Sequence, residues 1–140
     1  MQMLEDAMSL AAKAHRRQKD KAGAAYILHP LRVMLRMNTN DERIVALLHD
    51  VVEDTEYTLE DLRKAGYSLK ILQSLDCLTK RDGEEYGQFI KRVKRSPLAR
   101  KVKIADIEDN LNLTRIKNPK KRDFMRIEKY RRALSELMKT

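Results

Sequence analysis

Ala46-Leu47-Leu48-His49-Asp50-Val51-Val52-Glu53-Asp54-Thr55 sets one imidazole and three carboxylates into an otherwise apolar stretch. With Ile44 upstream, Leu47, Leu48, Val51 and Val52 recur at the spacing of a single helix face, which predicts a helix that starts at Asp41 and runs through this segment. His49 and Glu53 are four apart, as are Asp50 and Asp54, so on a helix the polar groups form two pairs one turn long. Carboxylates placed beside Val51 and Val52 are costly unless a cation or hydrogen bonds compensate. The segment therefore points to a helical protein and to a site within it.

Outward from this stretch the helical pattern continues in both directions. Leu4, Ala7, Met8, Ala11 and Ala14 form a buried stripe on a first helix from about Gln2 to Arg17. Gln18–Ala25 is charged, contains Gly23 and reads as a loop. Pro30 suits the first turn of a short helix, Leu31–Met37, and places His29 at its N-terminal boundary. Thr58 and Asp61 resemble a capping box for a helix that stops near Gly66. Ser68 caps the next, with Ile71, Leu72, Leu75 and Leu78. After a loop at Lys80–Glu84, Tyr86, Phe89, Ile90 and Val93 mark another. Ser96-Pro97 opens a helix to about Leu113, and Asn118-Pro119 breaks the chain before a last one from about Arg122. The expectation is an all-α bundle of seven or eight helices, with residues 1–140 forming one domain.

Composition agrees. Four Gly and three Pro in 140 residues leave little material for the turns of an all-β fold. No apolar run approaches the roughly 20 residues of a membrane span, and the N-terminus lacks the apolar stretch of a signal peptide. Cys77 is the only cysteine, which excludes an intrachain disulfide and a cysteine-rich zinc site. A cytoplasmic location and no membrane partner are expected. The net charge, 30 − 21 = +9, favours an anionic partner. Two Phe, five Tyr and no Trp offer few platforms for stacking on single strands, so a nucleotide is favoured over nucleic acid. The final helix carries Phe124, Ile127, Tyr130, Leu134 and Leu137, which serve either as core or as a homo-oligomer contact.

One adjacent His-Asp pair cannot complete a coordination shell. Two further donors stand at helix-defined positions: His29, just before Pro30, and Asp106, in Lys103-Ile104-Ala105-Asp106. Mixed imidazole and carboxylate ligation suits a divalent first-row ion such as Mn²⁺ or Fe²⁺. Each residue also has a plainer reading. His29 serves equally as a helix-boundary hydrogen bonder, and Asp106 as a surface acid paired with Lys103 or Asn110. His15, beside Arg16 and Arg17, reads as a surface or capping residue.

The arrangement His29 … His49-Asp50 … Asp106 resembles the signature of HD-domain metal-dependent phosphohydrolases. AAYILHP, ALLHDVVEDT, LTK at Leu78–Lys80 and KIADIEDNL are most similar to the hydrolase domains of RelA/SpoT-type alarmone enzymes, over roughly Leu4 to Arg115. The resemblance implies one Mn²⁺ held by His29, His49, Asp50 and Asp106. It also implies that Glu53 and Asp54 help activate the attacking water, with Asn110 near the nucleotide and Lys19 or Lys21 as its basic contact. The implied reaction is removal of the 3′-pyrophosphate from guanosine 3′,5′-bis(diphosphate), giving GDP. The alternatives are hydrolysis of another phosphorylated nucleotide, and a basic nucleic-acid-binding or regulatory module with a vestigial metal site. Two departures from the family pattern bear on base selectivity: Gly23-Ala24-Ala25-Tyr26 lacks the usual Pro, and Asp109 stands where many members have His or Tyr.

Overall fold

The computed structural model describes residues 3–112 and 116–139. Among them the chain forms nine α-helices: α1 (Leu4–Ala14), α2 (Leu28–Leu35), α3 (Asn40–Leu48), α4 (Val51–Asp54), α5 (Leu59–Ala65), α6 (Leu69–Cys77), α7 (Tyr86–Lys94), α8 (Pro97–Asn110) and α9 (Lys121–Met138). The bundle is all-α, with a single isolated β-bridge between Lys19 and Ala25 among the described residues.

Helix α3 is the centre of the packing. Val45, Ala46, Leu47 and Leu48 have no solvent exposure, and α1, α2, α6 and α8 pack around them. Ala7 and Ala11 supply the small residues that let α1 lie close against this core, whereas Met8 of the expected stripe is 38% exposed. On the far side, α9 packs on α7 and α8. Leu137 is buried and Tyr130 and Leu134 pack on the core, so the core reading of these residues holds; Phe124 is exposed.

Local hydrogen bonding sets most helix starts. Thr58 accepts from the Asp61 N–H while Asp61 accepts from the Thr58 N–H, the reciprocal box read from the sequence. Ser68 accepts from the Ile71 N–H and Ser96 from the Ala99 N–H, capping α6 and α8, with Pro97 in the first turn of α8. Thr39 pairs with Glu42 in a capping box that opens α3.

Several boundaries differ from expectation. Helix α1 ends at Ala14, and Arg17 then takes a left-handed conformation at φ 69°. Gln2, the expected start, lies outside the described residues. Helix α2 begins at Leu28, one turn early, because Pro30 needs no N–H partner anywhere in a first turn. Helix α8 ends at Asn110 with Leu111 as its cap; Leu113, the expected end, lies outside the described residues. The helix from Asp41 through Val52 is broken in two at His49 and Asp50. The His49 ring nitrogen Nδ1 lies 2.5 Å from the Ala46 carbonyl, the group a continuing helix would give to the Asp50 N–H. The side chain that makes the site thus also ends the helix beneath it. No helix among the described residues is long and apolar enough to cross a membrane.

Candidate metal centre

Three segments bring the predicted ligands together. His29 comes from the first turn of α2, His49 and Asp50 from the α3–α4 break, and Asp106 from α8. One donor atom from each lies within 4.8 Å of all the others. His29 Nε2 and His49 Nε2 stand 2.7 and 3.2 Å from the same oxygen, Asp106 Oδ1. Asp50 Oδ2 is 3.1 Å from His49 Nε2 and 3.9 Å from His29 Nε2. His29, His49 and Asp106 are buried. The surface-acid reading of Asp106 therefore fails, although both neighbours it named do bind the carboxylate: Lys103 Nζ at 2.9 Å from Oδ2 and Asn110 Nδ2 at 3.3 Å from Oδ1.

The outer nitrogens of the two rings decide what the inner ones can do. His49 Nδ1 faces the Ala46 carbonyl, which can only accept, so Nδ1 carries the proton. His29 Nδ1 lies 2.6 Å from Asp109 Oδ2. Arg32 grips that carboxylate through Nε and Nη2 at 2.8 and 3.0 Å, which keeps it ionised and accepting. Asp109 is held well below the usual carboxylate range: burial opposes this, and His29 and Arg32 overcome it. Both Nε2 atoms therefore turn lone pairs toward carboxylate oxygens, an arrangement that demands a cation between them. Burial alone would lower the His49 pKa, yet Asp50 and Asp106 raise it well above its ordinary value. Two imidazoles and two carboxylates suit a divalent first-row ion.

Several partners of this centre went unread in the sequence. The Tyr26 hydroxyl donates to Asp50 Oδ2. Despite burial, this bond and the neighbouring His49 push Asp50 down to about 2. Asp109 holds the His29 ring, and Arg32 in turn holds Asp109. His15 is also misplaced by the sequence reading. It does cap the end of α1, but it is buried, not on the surface, with its ring 4.9 Å from that of Tyr26. Burial lowers its pKa. A tyrosine at position 26 and an acid one turn beyond Asp106 were the available signals; neither specifies a partner some 24 or 80 residues away.

Glu53 and Asp54 sit on α4, exposed at the edge of the centre. Glu53 Oε1 accepts from the Lys80 N–H at 3.2 Å. Asp54 is raised to about 6 by partial burial and by the negative charges of Asp50 and Glu53. Lys19, Lys21 and Asn110 line one cleft of about 300 Å³, together with His29, Arg32 and Arg126. Lys19 pairs with Ala25 across the loop, and Asp20 Oδ1 accepts from the Ala22 and Ala24 N–H groups, which shapes the rim. Partial burial and the nearby Arg126 lower the Lys21 pKa, as expected where cations crowd an anion site. Every sequence-predicted ligand and basic contact thus falls at this centre or in the cleft beside it.

No family model matches the chain. It is 33% identical to a GTP pyrophosphokinase from Streptomyces coelicolor, over 82% of this chain and 15% of that protein. It is 30% identical to a guanosine-3′,5′-bis(diphosphate) 3′-pyrophosphohydrolase from Aquifex aeolicus, over 77% of this chain and 17% of the relative. The chain therefore spans about a sixth of the length of these curated relatives. The solved structure of a metazoan ortholog of SpoT superposes with a TM-score of 0.79 at 22% identity, covering 96% of this chain and 84% of the other, and shares its fold. With similarity running along most of its length and the same helical architecture around the ligand cluster, the chain belongs to the RelA/SpoT-type hydrolase-domain family.

Proposed function

We propose that this chain is a metal-dependent phosphohydrolase that cleaves the 3′-diphosphate from guanosine 3′,5′-bis(diphosphate), releasing GDP and pyrophosphate, with Mn²⁺ as its ion. The observation that carries the reading is the pair of Nε2 lone pairs aimed at Asp106 Oδ1 with both Nδ1 protons directed outward. The names of the Streptomyces and Aquifex relatives point to opposite reactions, making and breaking a pyrophosphate ester. Acids beside a metal-ligand cluster favour the second, because hydrolysis needs a group to accept the proton of water.

His29, His49, Asp50 and Asp106 would hold the ion, which when bound supplies charge stabilisation at a phosphoryl oxygen and makes a bound water more acidic. The remaining chemistry belongs to side chains. Asp54, raised to about 6, is ionised at neutral pH yet more basic than an ordinary aspartate, which suits it to accept the proton of the attacking water. Glu53, fixed through its bond from the Lys80 N–H, assists on the same edge. Lys19, Lys21, Arg32 and Arg126 in the cleft neutralise the phosphates, and Asn110 lines the same wall. Tyr26 and Lys103 hold the two ligand carboxylates in place.

The test incubates the protein with Mn²⁺ and a panel of 3′- and 5′-phosphorylated nucleotides, with products identified by mass. GDP and pyrophosphate in equal amounts are expected, and Asp50→Asn should lose both bound Mn²⁺ and turnover. Release of single phosphates, or a metal-loaded protein inert toward the whole panel, overturns the proposal.

A further inference from the structure

The two oxygens of Asp106 do different work. Oδ1 faces both histidine Nε2 atoms and the Asn110 amide, at 2.7, 3.2 and 3.3 Å. Oδ2 faces the other way and meets the Lys103 ammonium at 2.9 Å. Lys103 lies one turn before Asp106 on α8, and its side chain is only 14% exposed. Its Nζ also sits 5.3 Å from the centre of the Phe89 ring, so an aromatic face from α7 backs the ammonium. Phe89 is itself buried. The cation is therefore held from two helices and is not a surface charge that drifts toward whichever acid is nearest.

A carboxylate can bind a divalent ion through one oxygen or through both. We infer that Lys103 is a positioning residue that confines Asp106 to one ligating oxygen and so leaves a coordination position of the bound ion to water or substrate. This rests on the metal reading above. Among the described residues, four donor atoms meet at the cluster. A six-coordinate first-row ion would then keep about two positions open. A second oxygen from Asp106 would occupy one of them. Asn110 adds to the effect from the other side, since its amide holds Oδ1 in the direction of the two imidazoles.

The experiment loads the full chain with Co²⁺, whose visible absorption reports coordination number, and needs no nucleotide. Lys103→Met, close in length but uncharged, frees Oδ2; its Co²⁺ spectrum should shift toward a more fully ligated ion. Its metal affinity should change by about 10-fold, as for other partners behind metal ligands. Turnover should fall through kcat with KM for the nucleotide nearly unchanged. Lys103→Arg should restore the parent spectrum. A Lys103→Met protein with unaltered spectrum and affinity overturns the inference. If that variant does not fold, a crystal structure of the parent chain with Mn²⁺ decides it: Asp106 binding through both oxygens refutes the role, and binding through Oδ1 alone supports it. A parent chain that takes up no Co²⁺ refutes the metal site itself, whereas one that binds Co²⁺ but spares the nucleotide refutes only the proposed substrate.

Discussion

Gln18 Nε2 donates to the main-chain carbonyl of Asp54 at 3.2 Å, tying the loop after α1 to the end of α4. Because a carbonyl can only accept, this bond fixes which way the Gln18 amide points. Its oxygen then meets His15 Nδ1 at 2.9 Å, which makes Nδ1 the protonated nitrogen. His15 Nε2 is left buried with no protein partner. Leaving such a nitrogen unmatched costs on the order of 1–3 kcal/mol. Gln18 thus ties the main chain at Asp54 to the loop after α1.

Gln18→Ala should therefore lower kcat by about 10-fold, less than the roughly 10²-fold expected for losing a general base outright. KM should stay close to that of the parent, because Gln18 does not itself line the cleft. Steady-state kinetics check this; an unchanged kcat would show that α4 keeps its place without the tie.

Asp109 accepts from His29 Nδ1 while Arg32 neutralises it. Asp109→Asn keeps the shape but loses the charge that makes the ring a better donor toward a cation. Metal affinity should drop about 10- to 100-fold. Competition with a chelating dye reads the change directly.

Asp54 has a pH signature in the metal-free chain. Its folded pKa, about 6, lies above the ordinary aspartate value of 3.8. The unfolded chain therefore releases this proton at lower pH than the folded one, so the group disfavours the fold as pH rises from about 4 to about 6. The side chain is exposed, and solvent screening keeps the effect small. An NMR titration should find the Asp54 carboxyl midpoint near 6, and added Zn²⁺ should move it downward because a bound cation favours the ionised form. In turnover, activity should rise with pH as Asp54 loses its proton, and Asp54→Asn should flatten that limb.

Arg17 occupies the left-handed region at φ 69°, where a side chain costs roughly 1–2 kcal/mol. Glycine removes that strain but loses more backbone freedom on folding, by roughly 0.5–1 kcal/mol. Arg17→Gly should thus stabilise the fold by about 0.5–1 kcal/mol net. Urea unfolding should show a higher midpoint at unchanged slope.

Several helix starts and the unusual His49-Asp50 pair were readable from the chain because each signal is short in range, whereas the four candidate ligands were joined only by the resemblance of His29 … His49-Asp50 … Asp106 to a family signature. Thr58 with Asp61, Ser68 and Ser96 act on backbone groups three residues away. His49-Asp50 followed by Glu53-Asp54 is one turn of polar groups that an apolar segment has no other reason to carry. Even here tertiary-scale detail intruded, since the His49 ring takes the Ala46 carbonyl and splits the expected helix.

What belonged to the folded molecule alone were the long-range partners behind the candidate ligands; Lys103 and Asn110, one turn from Asp106, were already named from the chain. Tyr26 reaches Asp50, Asp109 reaches His29, and Gln18 reaches Asp54 only because α1, α2 and α8 pack around α3. The same packing buried His15, whose charged neighbours Arg16 and Arg17 had argued for the surface. Residue type and spacing settle what a side chain can bind, since that depends on its atoms and on the turn it occupies. Which partner it meets depends on how distant helices close upon one another, and that is settled only when the core is packed.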